Sequence, residues 1–283
     1  METLTEQPEQ ETVQVPLTRE QYTVQLILDI KSGKTKLSYT AISKFKRSPK
    51  CFIDYKLAPK EQTDAMLLGS IVHCLILEPE HFDERYTTDA LIIAEIGGAK
   101  PRSTTKYKEW KAEQEGMIVI SSDFHKAGQD MANAVLNNSA AKWVLDQCDK
   151  REFRIEWNHK GLSFIGFMDA RGKVIADIKI CQDAEPKKFQ RDIINMGYYL
   201  QGGAYTIAEG EVLPYFLIAV DRNLGVSVHE VTEDLIEFGM NEFDRLCGEF
   251  NTCLDANDFH KSFEYRSHTD QGYFKVSRPP YLT

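Results

Sequence analysis

The sequence has no apolar run long enough to cross a bilayer, and its N-terminus carries no signal-peptide pattern. No membrane partner is therefore expected, and a cytoplasmic location is. It also lacks paired cysteines. Cys51, Cys74, Cys148, Cys181, Cys247 and Cys253 are scattered without CxxC spacing, which argues against a zinc site or a disulfide framework and for reduced thiols. A basic excess is missing as well. The formal net charge is −9, whereas a surface that coats polyanions is usually basic. Part of the acidity lies in residues 1–16, and local basic clusters remain at Lys44, Lys46, Arg47, Lys50 and Lys56 and at Lys187, Lys188 and Arg191.

What is present is ordinary globular material, 283 residues with 42% apolar and 27% charged side chains, enough for a substantial core. Residues 1–16 are rich in Glu and Gln without periodicity, the pattern of a disordered leader; residues 17–283 read as one domain. Thr18 and Gln21 stand at capping-box spacing before a helix running to Lys31 and stopping near Gly33. Ser38 is placed to cap a second helix, carrying Tyr39, Ile42 and Phe45 and ending before Pro49. Residues 65–77 read as an apolar helix on which Gly69 permits close packing and His73 sits among apolar neighbours. Residues 91–116 read as a surface loop or lid leading into a charged helix, with Tyr107 and Trp110 covering the core or available for stacking. Further helices are expected over 122–147, with Met131, Ala134, Val135 and Leu136 inward, and from Pro186, with Phe189, Ile193 and Ile194 inward. Phe153, Ile155 and Trp157 alternate as in a strand. Strands are expected over 215–220 and 226–229, then a long amphipathic helix over 232–254.

The centre of the pattern is 161–205. Two apolar runs flank a turn around Gly172, as in a β-hairpin, yet they carry Asp169, Asp177 and Lys179. Carboxylates are disfavoured in strands and costly to bury unless they are paired or bind a metal. Asp177 and Lys179 share a strand face. A three-residue loop, Gly172-Lys173-Val174, sets Asp169 opposite Asp177, with Cβ atoms roughly 5 Å apart. Two acids that close repel unless a cation lies between them, and oxygen-rich sites suit Mg²⁺ or Mn²⁺. Taken alone, Asp-x-Lys on a strand is commonly a solvated face; the neighbouring pattern makes it more.

Gly166-Phe-Met-Asp169 followed by Asp177-Ile-Lys179 resembles the motif of the PD-(D/E)XK nuclease superfamily. Gln201 and Tyr205, four apart on a helix, match the extra motif of its RecB-like branch. The stretch from Leu37 through Ser48-Pro49, and the later Leu68-Gly69 to Glu78-Pro79 containing His73, are similar to the RecE-type phage or prophage exonuclease domain. The resemblance implies an α/β fold, a mixed central sheet flanked by helices. It implies metal-dependent DNA hydrolysis, with Mg²⁺ (Mn²⁺ as an alternative) held by Asp169, Asp177, the backbone carbonyl of Ile178 and His73, and with Glu78 as a weaker candidate. Lys179 would orient and activate the attacking water, and Gln201 would contact substrate or orient Lys179. Ser43, Arg47 and Tyr205 would contact DNA. It further implies 5′→3′ digestion of one strand from double-stranded DNA ends, 3′ overhangs for a single-strand annealing protein, and a ring-shaped homo-oligomer. The scattered cysteines depart from the iron–sulfur cluster of some RecB-like nucleases. A repair nuclease of other polarity, an endonuclease and a non-catalytic DNA-binding protein remain as alternatives.

Overall fold

Thr18 opens the first helix through the expected capping box, its hydroxyl accepting from the Gln21 N–H at 3.2 Å and its own N–H donating to Gln21 Oε1 at 2.9 Å. The computed structural model describes residues 18–59 and 61–276, so the expected leader lies outside the described residues. Helix α1 (Arg19–Lys31) ends at Ser32, and Gly33 follows with a left-handed φ of 73°. Ser38 caps α2 (Tyr39–Arg47) as the sequence predicts. Ser48 then caps a further helix, α3 (Pro49–Leu57), with Pro49 in its first turn, where its missing N–H costs nothing.

Helix α4 (Asp64–Leu77) matches the apolar segment, but its glycine does not act as expected. A Cβ on Gly69 would meet nothing within 4 Å. The close approach is made by Gly128 on the facing helix, where a Cβ would lie 2.3 Å from Ile71 Cγ2. The predicted loop over 91–116 is also partly structured. After α5 (Phe82–Arg85) and β1 (Tyr86–Thr88) comes α6 (Ala90–Ile96), then α7 (Thr105–Glu113) and β2 (Ile118–Ile120), which pairs in parallel with β1. Asp89 anchors the segment. It is 2% exposed and binds Arg102 at 2.7 Å and the Tyr107 hydroxyl at 3.1 Å. Tyr107 therefore covers the core.

Helices α8 (Ser122–Asn137) and α9 (Ser139–Leu145) follow. Met131 and Val135 are buried as expected, while Leu136 is 42% exposed and Ala132 lies inside instead, because the buried face follows the spacing Gly128, Met131, Ala132, Val135.

The main sheet has five strands in sequence order, β3 (Cys148–His159), β4 (Leu162–Gly172), β5 (Ile175–Ile180), β6 (Tyr215–Val220) and β7 (Val226–Val231). Only β5 and β6 run parallel; the other neighbours are antiparallel. That single parallel pair needs a crossover, supplied by α10 (Pro186–Asn195) and α11 (Tyr198–Glu209). On α10, Phe189 and Ile193 are buried but Ile194 is 51% exposed, since an adjacent residue turns about 100° away from the inward face.

Helices cover both faces of the sheet. Leu68 and Val72 of α4, Met131 and Val135 of α8 and Val144 of α9 pack with Ile178, Ile218 and Val220. On the other face lie α10, α11 and the last long helix, α12 (Glu233–Ala256), with α1–α3 grouped around Phe45, Phe52, Phe164 and Phe250. Two glycines let α11 and α12 touch through backbone: a Cβ on Gly203 would lie 2.4 Å from the Gly239 carbonyl carbon. Among the described residues, no helix is long and apolar enough to cross a membrane.

Candidate active site

The β4–β5 ladder pairs Ala170 with Ala176 and Arg171 with Ile175, the register that a three-residue loop at Gly172-Lys173-Val174 requires. The paired residues end one short of the aspartates, and the same register carried on sets Asp169 level with Asp177, as the sequence suggested. β5 also pairs along its whole length with β6. The carboxylate of Asp169 turns onto the β5 backbone, where Oδ2 accepts the Ile178 N–H at 2.6 Å. The two acids thus meet on either side of Ile178, each with its own partners.

Asp177 belongs to α11. It is 2% exposed; Oδ1 accepts from Gln201 Nε2 at 2.6 Å, and Oδ2 lies 2.5 Å from Lys179 Nζ. That last contact is a buried ion pair. Lys179 also donates to Gln201 Oε1 at 3.0 Å and lies 4.7 Å from the ring centre of Tyr198. Burial works against its charge, but Asp177 and Asp169 outweigh it and hold the ammonium above the ordinary lysine range. Gln201 thus orients both members of the Asp-x-Lys pair, one of the two roles expected for it.

Asp169 belongs to α4 and β3. Its Oδ2 faces His73 Nδ1 at 3.6 Å, and the opposite ring nitrogen, Nε2, is bonded to the Ile178 carbonyl at 3.0 Å. Burial lowers the His73 pKa despite the opposing charges of Asp177 and Glu152, so the ring is neutral at pH 7. With Nε2–H donated to the carbonyl, Nδ1 presents a lone pair to a carboxylate. The Ile178 carbonyl, expected as a ligand, serves here to orient His73, an arrangement common behind metal-bound imidazoles. Burial and then the Asp177 charge raise the Asp169 carboxyl well above the carboxylate range.

The third member was not legible beforehand. Glu152 lies between the pairs Arg151–Ala170 and Phe153–Met168, across from Asp169, with a left-handed φ of 44°. Ligand atoms of His73, Glu152 and Asp169 lie within 4.8 Å of one another. Burial and the Asp169 charge raise the Glu152 carboxyl. In the sequence it looks like the polar partner of Phe153, no different from Arg154 or Glu156; only the β3–β4 register reveals it.

These groups fit a divalent cation. Two carboxylates with raised pKa values and an imidazole converge, their ligand atoms within 4.8 Å of one another. Oxygen with one nitrogen suits Mg²⁺ or, better, Mn²⁺. Glu78, the weaker candidate, is committed to Arg85 at 2.7 Å.

The expected DNA contacts divide. Tyr205 is 4% exposed and its hydroxyl donates to the Phe167 carbonyl at 2.6 Å; it is a strut between α11 and β4, not a phosphate contact, because its polar tip is spent inside. Ser43 and Arg47 share a face of α2 with Tyr39, each four residues apart. Tyr39 approaches the Lys179 end of the site: burial pushes its phenol up to about 12, and it feels the charges of Lys179 and Asp177. Arg47 is exposed, with its guanidinium 5.8 Å from the Phe263 ring centre.

A family described as a PDDEXK-like domain of unknown function (DUF3799) matches residues 38–264. The chain belongs to this PDDEXK-like family. Its matched region contains every residue of the site, from Ser43 to Tyr205. No curated protein matches the chain. Among solved structures, a "Putative exonuclease" from Eubacterium rectale is 15% identical, with a TM-score of 0.58 over 94% of this chain and 96% of that one. This likeness confirms the α/β fold of the PDDEXK-like domain. An alkaline exonuclease from Laribacter hongkongensis is 14% identical over 63% of this chain and 95% of its own, with a TM-score of 0.28, too slight to build on.

Proposed function

We propose that this PDDEXK-like domain is a metal-dependent DNA exonuclease. The observation that carries the reading is the junction at Ile178, where the Asp177–Lys179–Gln201 network adjoins the His73–Glu152–Asp169 cluster. Asp169, Glu152 and His73, with Asp177, would hold Mg²⁺ or Mn²⁺. A bound divalent cation supplies charge neutralisation at a phosphate and a water acidic enough to attack at neutral pH. Lys179, fully protonated, is placed to hold that water and offset charge on the phosphate; it acts as a cation and not as a base. Gln201, bonded to both Lys179 and Asp177, fixes the orientation of the pair. Ser43 and Arg47 would meet the DNA backbone, Arg47 through its planar fork.

The name of the Eubacterium rectale neighbour agrees with exonucleolytic action. The finer reading follows the family resemblance: 5′→3′ digestion from double-stranded ends, 3′ overhangs passed to a single-strand annealing protein, a ring-shaped homo-oligomer, one catalytic domain over 17–283, and action in the cytoplasm of a bacterial host. The test is digestion of duplexes labelled separately at each 5′ and 3′ end, with Mg²⁺, Mn²⁺ or EDTA, beside a covalently closed circle. Metal-dependent loss of label from 5′ ends with the circle intact is expected. Loss from 3′ ends overturns the polarity, cutting of the circle overturns exonucleolytic action, and no cleavage in either metal overturns the assignment.

A further inference from the structure

Phe167 stands two residues before Asp169 on β4 and lines, together with His73 and Glu152, a cleft of ≈ 640 Å³. Its ring is 52% exposed. Met66, about two turns before His73 on α4, is 59% exposed on the same cleft. A phenylalanine left in water forgoes the free energy of burial, and this one is not loose, because the Tyr205 hydroxyl fixes its carbonyl. Across the ladder, Arg154 pairs with Phe167, which puts both side chains on one face. Arg154 is 59% exposed and shares Glu156 with Lys36. Two cations on one surface carboxylate are weakly held, so Arg154 can exchange its partner for a phosphate.

The surroundings narrow what such a pair can bind. Glu152, Glu78 and Arg85 line the same cleft, with Glu78 paired to Arg85, so no basic excess draws phosphates there. A neutral aromatic face is the kind of hold a nucleobase can use in an acidic place. The pair Arg154–Phe167 lies two residues along the strands from Glu152 and Asp169, an advance of roughly 7 Å, about one nucleotide of an extended strand.

We infer that Phe167 and Arg154 form a subsite for one unpaired nucleotide next to the phosphate held at the acids, the base stacking on the Phe167 ring and a backbone phosphate meeting Arg154. A base can stack there only when it is free of its complement, so the occupant is a single strand. The direction of the strand past the acids rests on the nuclease reading; the stacking does not.

The experiment is equilibrium binding by fluorescence anisotropy in EDTA, with the full chain, comparing a thymidine oligonucleotide with an abasic oligonucleotide of equal length. The wild type should prefer the thymidine strand, and Phe167→Ala should shrink that preference about tenfold, the order of one base–aromatic stack. Phe167→Trp should restore it, and Phe167→Leu should not. Arg154→Gln should weaken both strands equally and lower the salt slope by about one. An unchanged preference in Phe167→Ala, or rescue by Phe167→Leu, overturns the stacking. If the wild type binds the two strands alike, the subsite is likewise overturned. End-label digestion by the wild type is scored separately, so a failed subsite leaves the nuclease reading standing, and a failed nuclease reading leaves the binding result interpretable.

Discussion

The two halves of the site, on either side of Ile178, are built on opposite electrostatic plans. On the α11 side, Asp177 and Lys179 neutralise each other and Gln201 bonds to both. On the α4 side, Asp169 and Glu152 face a neutral imidazole, and both carboxyls are raised. The first half is complete as folded and can be rigid. The second is stable only with protons or a cation supplied from outside. A reaction centre needs both: a fixed positive group that does not leave with product, and a place for a metal whose arrival is coupled to loss of protons.

The sharpest way to break this comparison is Lys179→Ala. Cleavage should fall on the order of 10³-fold, while Mn²⁺ binding and DNA binding in EDTA remain measurable; wild-type turnover would remove Lys179 from the chemistry. Next comes Glu152→Gln, which should cut the rise in melting temperature produced by Mn²⁺ and lower cleavage, on the order of 10- to 100-fold. Gln201→Leu should lower DNA cleavage, and so should Gln201→Glu, which can still bond Lys179 but sets a like charge against Asp177; wild-type cleavage by Gln201→Leu would mean that Gln201 serves only as packing.

The raised carboxyls make a pH prediction with a definite sign. A folded pKa above the unfolded one means the stability from Asp169 and Glu152 is full below about pH 4 and is lost as pH rises through their folded values. Metal-free protein should therefore lose stability on that climb relative to the Asp169→Asn, Glu152→Gln double variant. Saturating Mn²⁺ should abolish the difference. Melting curves across pH with and without metal check it, and parallel curves for the two proteins would contradict it. The smallest effect on chemistry is expected from Gly203→Ala. Its methyl group meets the Gly239 backbone, so stability should drop by about 1–3 kcal/mol, with cleavage per folded molecule reduced only through Gln201.

Much of this was legible from side-chain type and spacing. The Thr18 capping box, the Ser38 cap and the hairpin register are local features, decided by residues within a few positions of one another. The bond between Gln201 and Lys179 is one of the two roles that the family resemblance implied for Gln201. Leu136, Ile194 and Gly69 were misplaced because period alone does not say where the inward face of a helix ends; the neighbour against which it packs decides that. Tyr205 was misread because its motif position says nothing of whether the hydroxyl points inward.

The amino-acid order alone settled that two acids and a lysine occupy one apolar hairpin, since a three-residue turn leaves a single register. Only the tertiary structure decided how they are shared out. The β4–β5 ladder ends at Ala170–Ala176, His73 arrives on α4, and Glu152 comes level with Asp169 through the β3–β4 pairing. Those distances are set by packing between segments far apart in the chain, and no local rule of spacing carries that information.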